Sequence, residues 1–197
     1  GEAGNFTKDD VLLSLQNEVL LEETFKEFQL KNIPIRPSKL NGKPFELFDH
    51  QKEAIRSFFS AGVHNGQVKG LLKLATGAGK TITALSAVTL LFEKNPGVKL
   101  FLIVSVPYIA LAEQWEKDFR MFNMLPIKCY DGINLWYEEL VNKINSFLVD
   151  ENTNFFSVIV VNATLKSEAF QKQLNRIPAS QVFFVGDECH HHAQFTF

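Results

Sequence analysis

A glycine-rich turn, Thr76-Gly77-Ala78-Gly79-Lys80-Thr81, constrains the fold of this chain more than any other stretch. It follows the apolar run at residues 68–74 and precedes an apolar segment, residues 82–91, that suits a buried helix. Gly77 and Gly79 permit backbone conformations that are closed to residues with a Cβ, so successive N–H groups can surround an anion. A strand, a glycine-rich turn, Lys-Thr and a helix in this order predict a phosphate-binding loop.

The residues of this turn have predicted roles in binding a nucleoside triphosphate. The cradle for the phosphates consists of the backbone at Thr76, Gly77, Ala78 and Gly79. A helix that opens at Lys80 directs the positive end of its dipole at the same anion. Lys80 is expected to reach the β- and γ-phosphates, and the Thr81 hydroxyl to ligate Mg²⁺. The general pattern has Gly where this chain has Leu74, so a turn without a ligand is the alternative.

Composition and charge restrict the partners and the setting. The chain is 46% hydrophobic with 19 Phe, which is ample for a core, and its net charge is −2. It therefore has no overall basic footprint, which counts against a free-standing nucleic-acid binder but permits a local positive groove. Cys129 and Cys189 form no disulfide or metal spacing, and this suits a reducing, cytoplasmic setting. No apolar run reaches the roughly 18 residues of a membrane span, so no membrane partner is expected.

Helical and strand-like segments alternate along most of the chain. Predicted strands cover residues 98–106, 127–130, 155–161 and 181–185, and predicted helices cover 52–60, 107–122, 134–149 and 167–174. This alternation predicts an α/β fold with a mostly parallel sheet covered by helices on both faces. Residues 1–44 are predicted to form an N-terminal helical appendage, and residues 45–197 the nucleotide-binding domain. Pro107 is expected at the first position of its helix.

Two adjacent carboxylates, Asp187 and Glu188, follow the last predicted strand. The carboxyl ends of parallel strands meet at one edge of a sheet, where the phosphate-binding loop is also expected. There Asp187 would hold Mg²⁺ through water, and Glu188 would polarise the water that attacks the γ-phosphate. A solvated Asp-Glu pair in a turn is the alternative. The three histidines at 190–192 lack a fourth ligand at suitable spacing, so a metal site there is not favoured.

Together the phosphate-binding loop and Asp187-Glu188-Cys189-His190 resemble the first motor domain of a superfamily 2 helicase or translocase of the DExH type. The resemblance is greatest to helicase-like subunits of type I and type III restriction enzymes and related phage-defence proteins. These proteins commonly carry an apolar residue before Ala-Thr-Gly-x-Gly-Lys-Thr, and in this chain that residue is Leu74. The resemblance covers residues 45–190 and implies a RecA-like P-loop domain that uses ATP and Mg²⁺.

The resemblance also implies roles for residues outside the two motifs. Gln51, in the segment Phe48-Asp49-His50-Gln51, resembles the residue that reads the adenine, although a Gln at a helix start is the alternative. Two other segments resemble those that contact a nucleic-acid backbone, and their candidate residues are Pro107, Gln114 and Thr164. Trp115 is more typical of a core than of a base-stacking platform.

The implied catalytic residues are Glu188, Lys80 and His190, with His190 coupling the site to the polymer.

The resemblance implies a longer protein than residues 1–197. The family's Ser-Ala-Thr-like segment and its second RecA-like motor domain, with an arginine finger, would lie beyond Phe197. These residues alone are expected to bind ATP-Mg²⁺ but to hydrolyse it very slowly. The implied function is an ATP-driven motor on nucleic acid, DNA rather than RNA, with restriction-complex subunits as candidate partners. A regulatory or scaffold module that binds ATP without motor activity, and an RNA helicase, are the alternatives.

Overall fold

The computed structural model describes residues 32–61, 63–64, 67–68, 79–95 and 97–187. Residues 1–31 of the predicted N-terminal appendage, residues 69–74 of the apolar run predicted as a strand, and Thr76, Gly77, Ala78, Glu188 and His190 lie outside these residues. The helices are α1 Asp49–Ala61, α2 Lys80–Lys94, α3 Ile109–Met121, α4 Tyr137–Val149, α5 Asn162–Leu165 and α6 Glu168–Leu174. The strands are β1 Lys39–Leu40, β2 Lys43–Pro44, β3 Val63–His64, β4 Gln67–Val68, β5 Leu100–Val106, β6 Ile127–Cys129, β7 Phe155–Val161 and β8 Val182–Gly186. None of the helices in these ranges is long and apolar enough to cross a membrane.

Strands β5 to β8 form a parallel sheet in the order β6–β7–β5–β8. The last residue of β5, Val106, lies opposite the last residue of β7, Val161. On the other side of β5, Ser105 lies opposite Gly186, the last residue of β8. The three strands therefore end at the same edge. The predicted parallel sheet is confirmed, and helices make the crossovers that parallel pairing requires.

Alternate residues of the central strand β5 face two separate layers. Leu102, Val104 and Val106 pack with apolar residues of α2 and α3. Phe101 and Ile103 point to the other face, where they pack with α4, α5 and α6. Because successive side chains of a strand alternate between faces, an unbroken apolar strand requires cover on both sides. The predicted helical layers on both faces are confirmed.

Two details of the helices were less accurately predicted. Pro107 does not occupy the first position of α3, because Tyr108 has an extended backbone (φ −153°, ψ 162°) and caps a helix that begins at Ile109. That prediction was wrong by two residues. The region predicted as one helix over 134–149 begins with a separate 3₁₀ turn, Ile133–Leu135, before α4. Near the end of α4, Phe147 joins Leu140 and Ile144 on the buried face, whereas Leu148 is exposed.

The segment before α1 contains a short hairpin of β1 and β2. Asn41 and Gly42 connect the two strands with φ angles of 52° and 75°, as a tight hairpin turn requires. Upstream, the Asn32 N–H donates to Asn123 O and the Ile35 N–H to Phe122 O, each at 2.9 Å. Residues 32–44 thus contact the end of α3. A domain boundary at residue 44 stays a prediction.

Candidate nucleotide site at the carboxyl edge of the sheet

Gly79 is the residue from which α2 begins. It has a left-handed backbone (φ 71°, ψ 40°), the conformation expected there and one that residues with a Cβ rarely adopt. The Gly79 carbonyl accepts from both the N–H and the hydroxyl of Thr83, each at 2.9 Å. The first N–H groups of a helix have no partner within it, so those of Lys80 and Thr81 suit an anion. Thr81 is half-buried and is the second residue of α2.

Lys80 and Asp187 are 107 residues apart in sequence but in direct contact. The Lys80 ammonium lies 3.0 Å from Asp187 Oδ1, with side-chain exposures of 32% for Lys80 and 8% for Asp187. Lys80 comes from the N-terminus of α2, and Asp187 directly follows β8. The structure therefore brings together two residues that the sequence nominated separately, Lys80 as a candidate phosphate-binding residue and Asp187 as a candidate metal ligand.

Asp187 has further contacts that sequence reasoning missed. The indole N–H of Trp115, a residue only 2% exposed, donates to Asp187 Oδ2 at 2.8 Å. The Asp187 backbone N–H donates to Ser105 O at 2.9 Å, and the Ser105 hydroxyl donates to Asn162 Oδ1 at 2.8 Å. A buried Trp needs an acceptor for its N–H, which is the one signal in the sequence that could have suggested a polar role. The acceptor itself is decided by the packing of α3 against the sheet.

Gln51 is 4% exposed and lies against the start of α2. Its Oε1 accepts from the Phe48 N–H at 2.9 Å, as a residue in the first turn of a helix does when it reaches back to the cap. Its Nε2 donates to Gly79 O at 3.4 Å. The Phe48 ring is exposed and stacks on His50 with centroids 5.8 Å apart. The structure thus joins Gln51 to the predicted nucleotide site, and adenine reading by Gln51 stays a prediction.

Two of the three residues predicted to contact nucleic acid come shortly after the strands β5 and β7. Pro107 directly follows β5, and Thr164 belongs to α5, which directly follows β7. Pro107 and Thr164 are half-buried, whereas Gln114 is exposed on α3. Because β5 and β7 end opposite each other, Pro107 and the start of α5 lie at the edge that carries Asp187. Contact of these residues with nucleic acid stays a prediction.

The donors at this edge are of the kind that a magnesium ion accepts. Among the described residues, no group of three or more His, Cys, Asp and Glu could hold a metal. Mg²⁺ usually takes one or two protein ligands and completes its shell with water and phosphate oxygens. Asp187 and Thr81 match that donor set, since Thr81 directly follows the lysine that contacts Asp187.

Two buried groups at the end of β6 have perturbed acidity. Burial, with smaller effects from the carboxylates of Glu116, Glu113 and Asp131 in that order, raises the pKa of Tyr130 to about 12. Burial, with a smaller effect from Glu139, also raises the pKa of the Cys129 thiol. The thiolate is the reactive form of cysteine, so Cys129 is suited to packing rather than to nucleophilic chemistry.

Comparison with known proteins identifies relatives of the domain that carries this site. The family model described as "Type III restriction enzyme, res subunit" matches residues 44–196. A DNA 3'-5' translocase, XPB2 of Sulfurisphaera tokodaii, is 26% identical over 148 residues, covering 64% of this chain and 31% of that protein. The chain therefore spans less than a third of this relative's length. No solved structure gives a significant match.

Proposed function

Since the chain belongs to the family of the type III restriction enzyme res subunit, we propose that it is the ATP-binding motor domain of a nucleic-acid helicase or translocase. Its resemblance to the first domain of DExH-type enzymes is confirmed by the family match. The observation that carries the proposal is the contact of Lys80 with Asp187, 3.0 Å apart beside the left-handed Gly79. DNA is the proposed polymer, supported by the description of the Sulfurisphaera relative as a DNA translocase.

The predicted site residues would divide the work of binding and hydrolysing ATP-Mg²⁺. Bound ATP supplies the phosphoanhydride bond whose hydrolysis drives the motor. Lys80 and the N–H groups at the start of α2 would neutralise the phosphates, while Thr81 and Asp187 would hold the metal. Glu188, the residue after Asp187, orients the attacking water and takes its proton. Gln51 contacts the base, and His190 couples the site to the polymer.

The polymer is proposed to run along the edge formed by the ends of β5 and β7. Pro107, Gln114 and Thr164 would contact its backbone, which sets the position of the strand and reads no sequence. The proposed setting is a restriction or phage-defence system, as the family suggests. A second RecA-like motor domain and further subunits of a restriction complex are the proposed protein partners.

Steady-state ATP turnover tests this function in the protein that contains the chain. Double-stranded DNA, single-stranded DNA and RNA are each added separately. We expect DNA to stimulate ATP turnover. We expect Lys80→Met, which removes the phosphate-binding amine, to abolish this stimulation. Glu188→Gln should retain ATP binding and lose turnover. Lys94→Met removes the same charge at the exposed far end of the same helix and should leave turnover unchanged, so it is the matched control.

The outcomes separate the proposed function from its alternatives. Stimulation by RNA alone would assign the chain to an RNA helicase. ATP binding with no response to any polymer would indicate a regulatory or scaffold module. Turnover that survives in Glu188→Gln would exclude Glu188 as the base.

A further inference from the structure

The contact between Trp115 and Asp187 joins α3 to the proposed metal-binding carboxylate. Trp115 Nε1 lies 2.8 Å from Asp187 Oδ2, and the two residues are 72 positions apart in sequence. Both are buried, Trp115 at 2% and Asp187 at 8% exposure. A hydrogen bond between a neutral donor and a carboxylate is stronger than a neutral pair, and burial strengthens it further.

The indole of Trp115 has little freedom to turn away from this contact. Its ring packs in the core layer formed by α2, α3 and the sheet. The centroids of the Trp115 and Phe119 rings are 6.3 Å apart. Indole has a single N–H donor in the plane of a rigid ring, so its direction follows from the packing of that ring. The core thus sets the position of the donor.

The two oxygens of Asp187 have different neighbours as a result. Oδ2 accepts from Trp115, and Oδ1 contacts the Lys80 ammonium at the start of α2. The backbone is also held, because the Asp187 N–H donates to Ser105 O. With Oδ2 and the backbone both bonded, rotation of the carboxylate is restricted and Oδ1 stays on the side of the phosphate-binding helix.

We propose that Trp115 is a positioning residue, whose indole N–H orients the Asp187 carboxylate for magnesium in the ATP site. The proposal rests on the function proposed above, since it concerns the same site. Partners that hydrogen-bond a metal-binding carboxylate keep it in the orientation that binding needs, and their loss typically lowers metal affinity by about 10- to 100-fold.

A Trp115→Phe variant removes the N–H and retains most of the ring. Its matched control is Trp136→Phe, because Trp136 is 3% exposed in the opposite core layer. Binding of a fluorescent, non-hydrolysable ATP analogue is titrated in both variants against Mg²⁺ and again in EDTA. We expect Trp115→Phe to need about tenfold more Mg²⁺ for half-maximal binding, with unchanged affinity in EDTA. Equal Mg²⁺ requirements in the two variants would overturn the proposal.

The wild-type chain gives a second readout that does not depend on a substitution. The sequence has 2 Trp, so a ¹⁵N-labelled sample shows two indole N–H resonances, which the two Phe variants assign. Addition of Mg²⁺ to the analogue-bound chain should shift the Trp115 resonance more than that of Trp136. A Trp115 resonance unmoved by Mg²⁺ while the analogue is bound would overturn the proposal. Absence of analogue binding by the wild-type chain would overturn the proposed function itself.

Discussion

Gln51 lies directly against Gly79, the residue from which α2 begins. The Gln51 Nε2 is 3.4 Å from the Gly79 carbonyl oxygen, and a Cβ built on Gly79 would lie 2.6 Å from that nitrogen. The left-handed backbone favours glycine here, and a Cβ would in addition oblige the end of the Gln51 side chain to shift. The contact connects the first turn of α1 with the start of α2.

Gly79→Ala should lower both stability and nucleotide affinity. The left-handed backbone alone costs about 1–2 kcal/mol for a residue with a Cβ, and the new methyl group must also displace Gln51. Urea unfolding gives the stability, and titration with a fluorescent ATP analogue gives the affinity.

Gly42→Ala is the matched control for that change. Gly42 has a similar φ of 75°, but no atom lies within 4 Å of the position of its Cβ. It should show the backbone cost without any loss of nucleotide affinity. Equal effects of the two substitutions on nucleotide binding would show that crowding of Gln51 is unimportant.

Gln51→Glu separates the two hydrogen bonds of the Gln51 side chain. A carboxylate can still accept from the Phe48 N–H, but it cannot donate to Gly79 O and instead repels that carbonyl. We expect nucleotide affinity to fall about tenfold, equivalent to 1.4 kcal/mol, with a further loss of stability because the charge is buried. Gln51→Ala should lose the helix cap as well but avoid the repulsion. If Gln51→Glu bound the analogue as tightly as wild type, the contact with Gly79 would have no part in the site.

The ion pair of Lys80 with Asp187 should be measurable without nucleotide. Lys80→Met leaves a carboxylate that is 8% exposed without its ammonium partner, which should cost about 1–3 kcal/mol of unfolding free energy. Asp187→Asn in the same chain should recover part of that cost, giving a coupling of about 0.5–3 kcal/mol in a double-mutant cycle. Lys94→Met, the exposed control on α2, should change stability by less than about 0.5 kcal/mol. If Lys80→Met and Asp187→Asn changed the unfolding free energy additively, the two side chains would not interact and the prediction would be wrong.

Tyr130 should make the fold sensitive to alkali. Burial and, to a smaller extent, the nearby carboxylates raise its pKa in the folded chain to about 12, above the value of about 10 in an unfolded chain. The unfolded state therefore loses this proton first as the pH rises, so Tyr130 destabilises the fold progressively between about pH 10 and pH 12. Tyr130→Phe should show a smaller decline of unfolding free energy over this interval. Urea unfolding at pH 9, 10 and 11 gives the unfolding free energy of both proteins. If it declined equally with pH in wild type and Tyr130→Phe, the role of Tyr130 would be contradicted.

Local patterns were sufficient for most of the described sheet and helices. The strand Phe155–Val161 was predicted with the bounds that the structure has, because strands buried on both faces are continuous apolar runs. Helix starts were less accurate, since they depend on which backbone and side-chain groups cap the first turn. Pro107 was expected inside α3, but the extended backbone of Tyr108 separates it from the helix.

The residue types of the site and their order could be predicted from the chain alone, because a glycine-rich turn before Lys-Thr and a carboxylate after a buried strand are local signals. The sequence nominated Lys80 and Asp187 in this way, from motifs 107 residues apart. Only the tertiary structure decided the contacts of Trp115 with Asp187 and of Gln51 with Gly79. Those contacts depend on how α1, α2 and α3 pack around the ends of parallel strands, and no local pattern encodes the distance between atoms on separate elements.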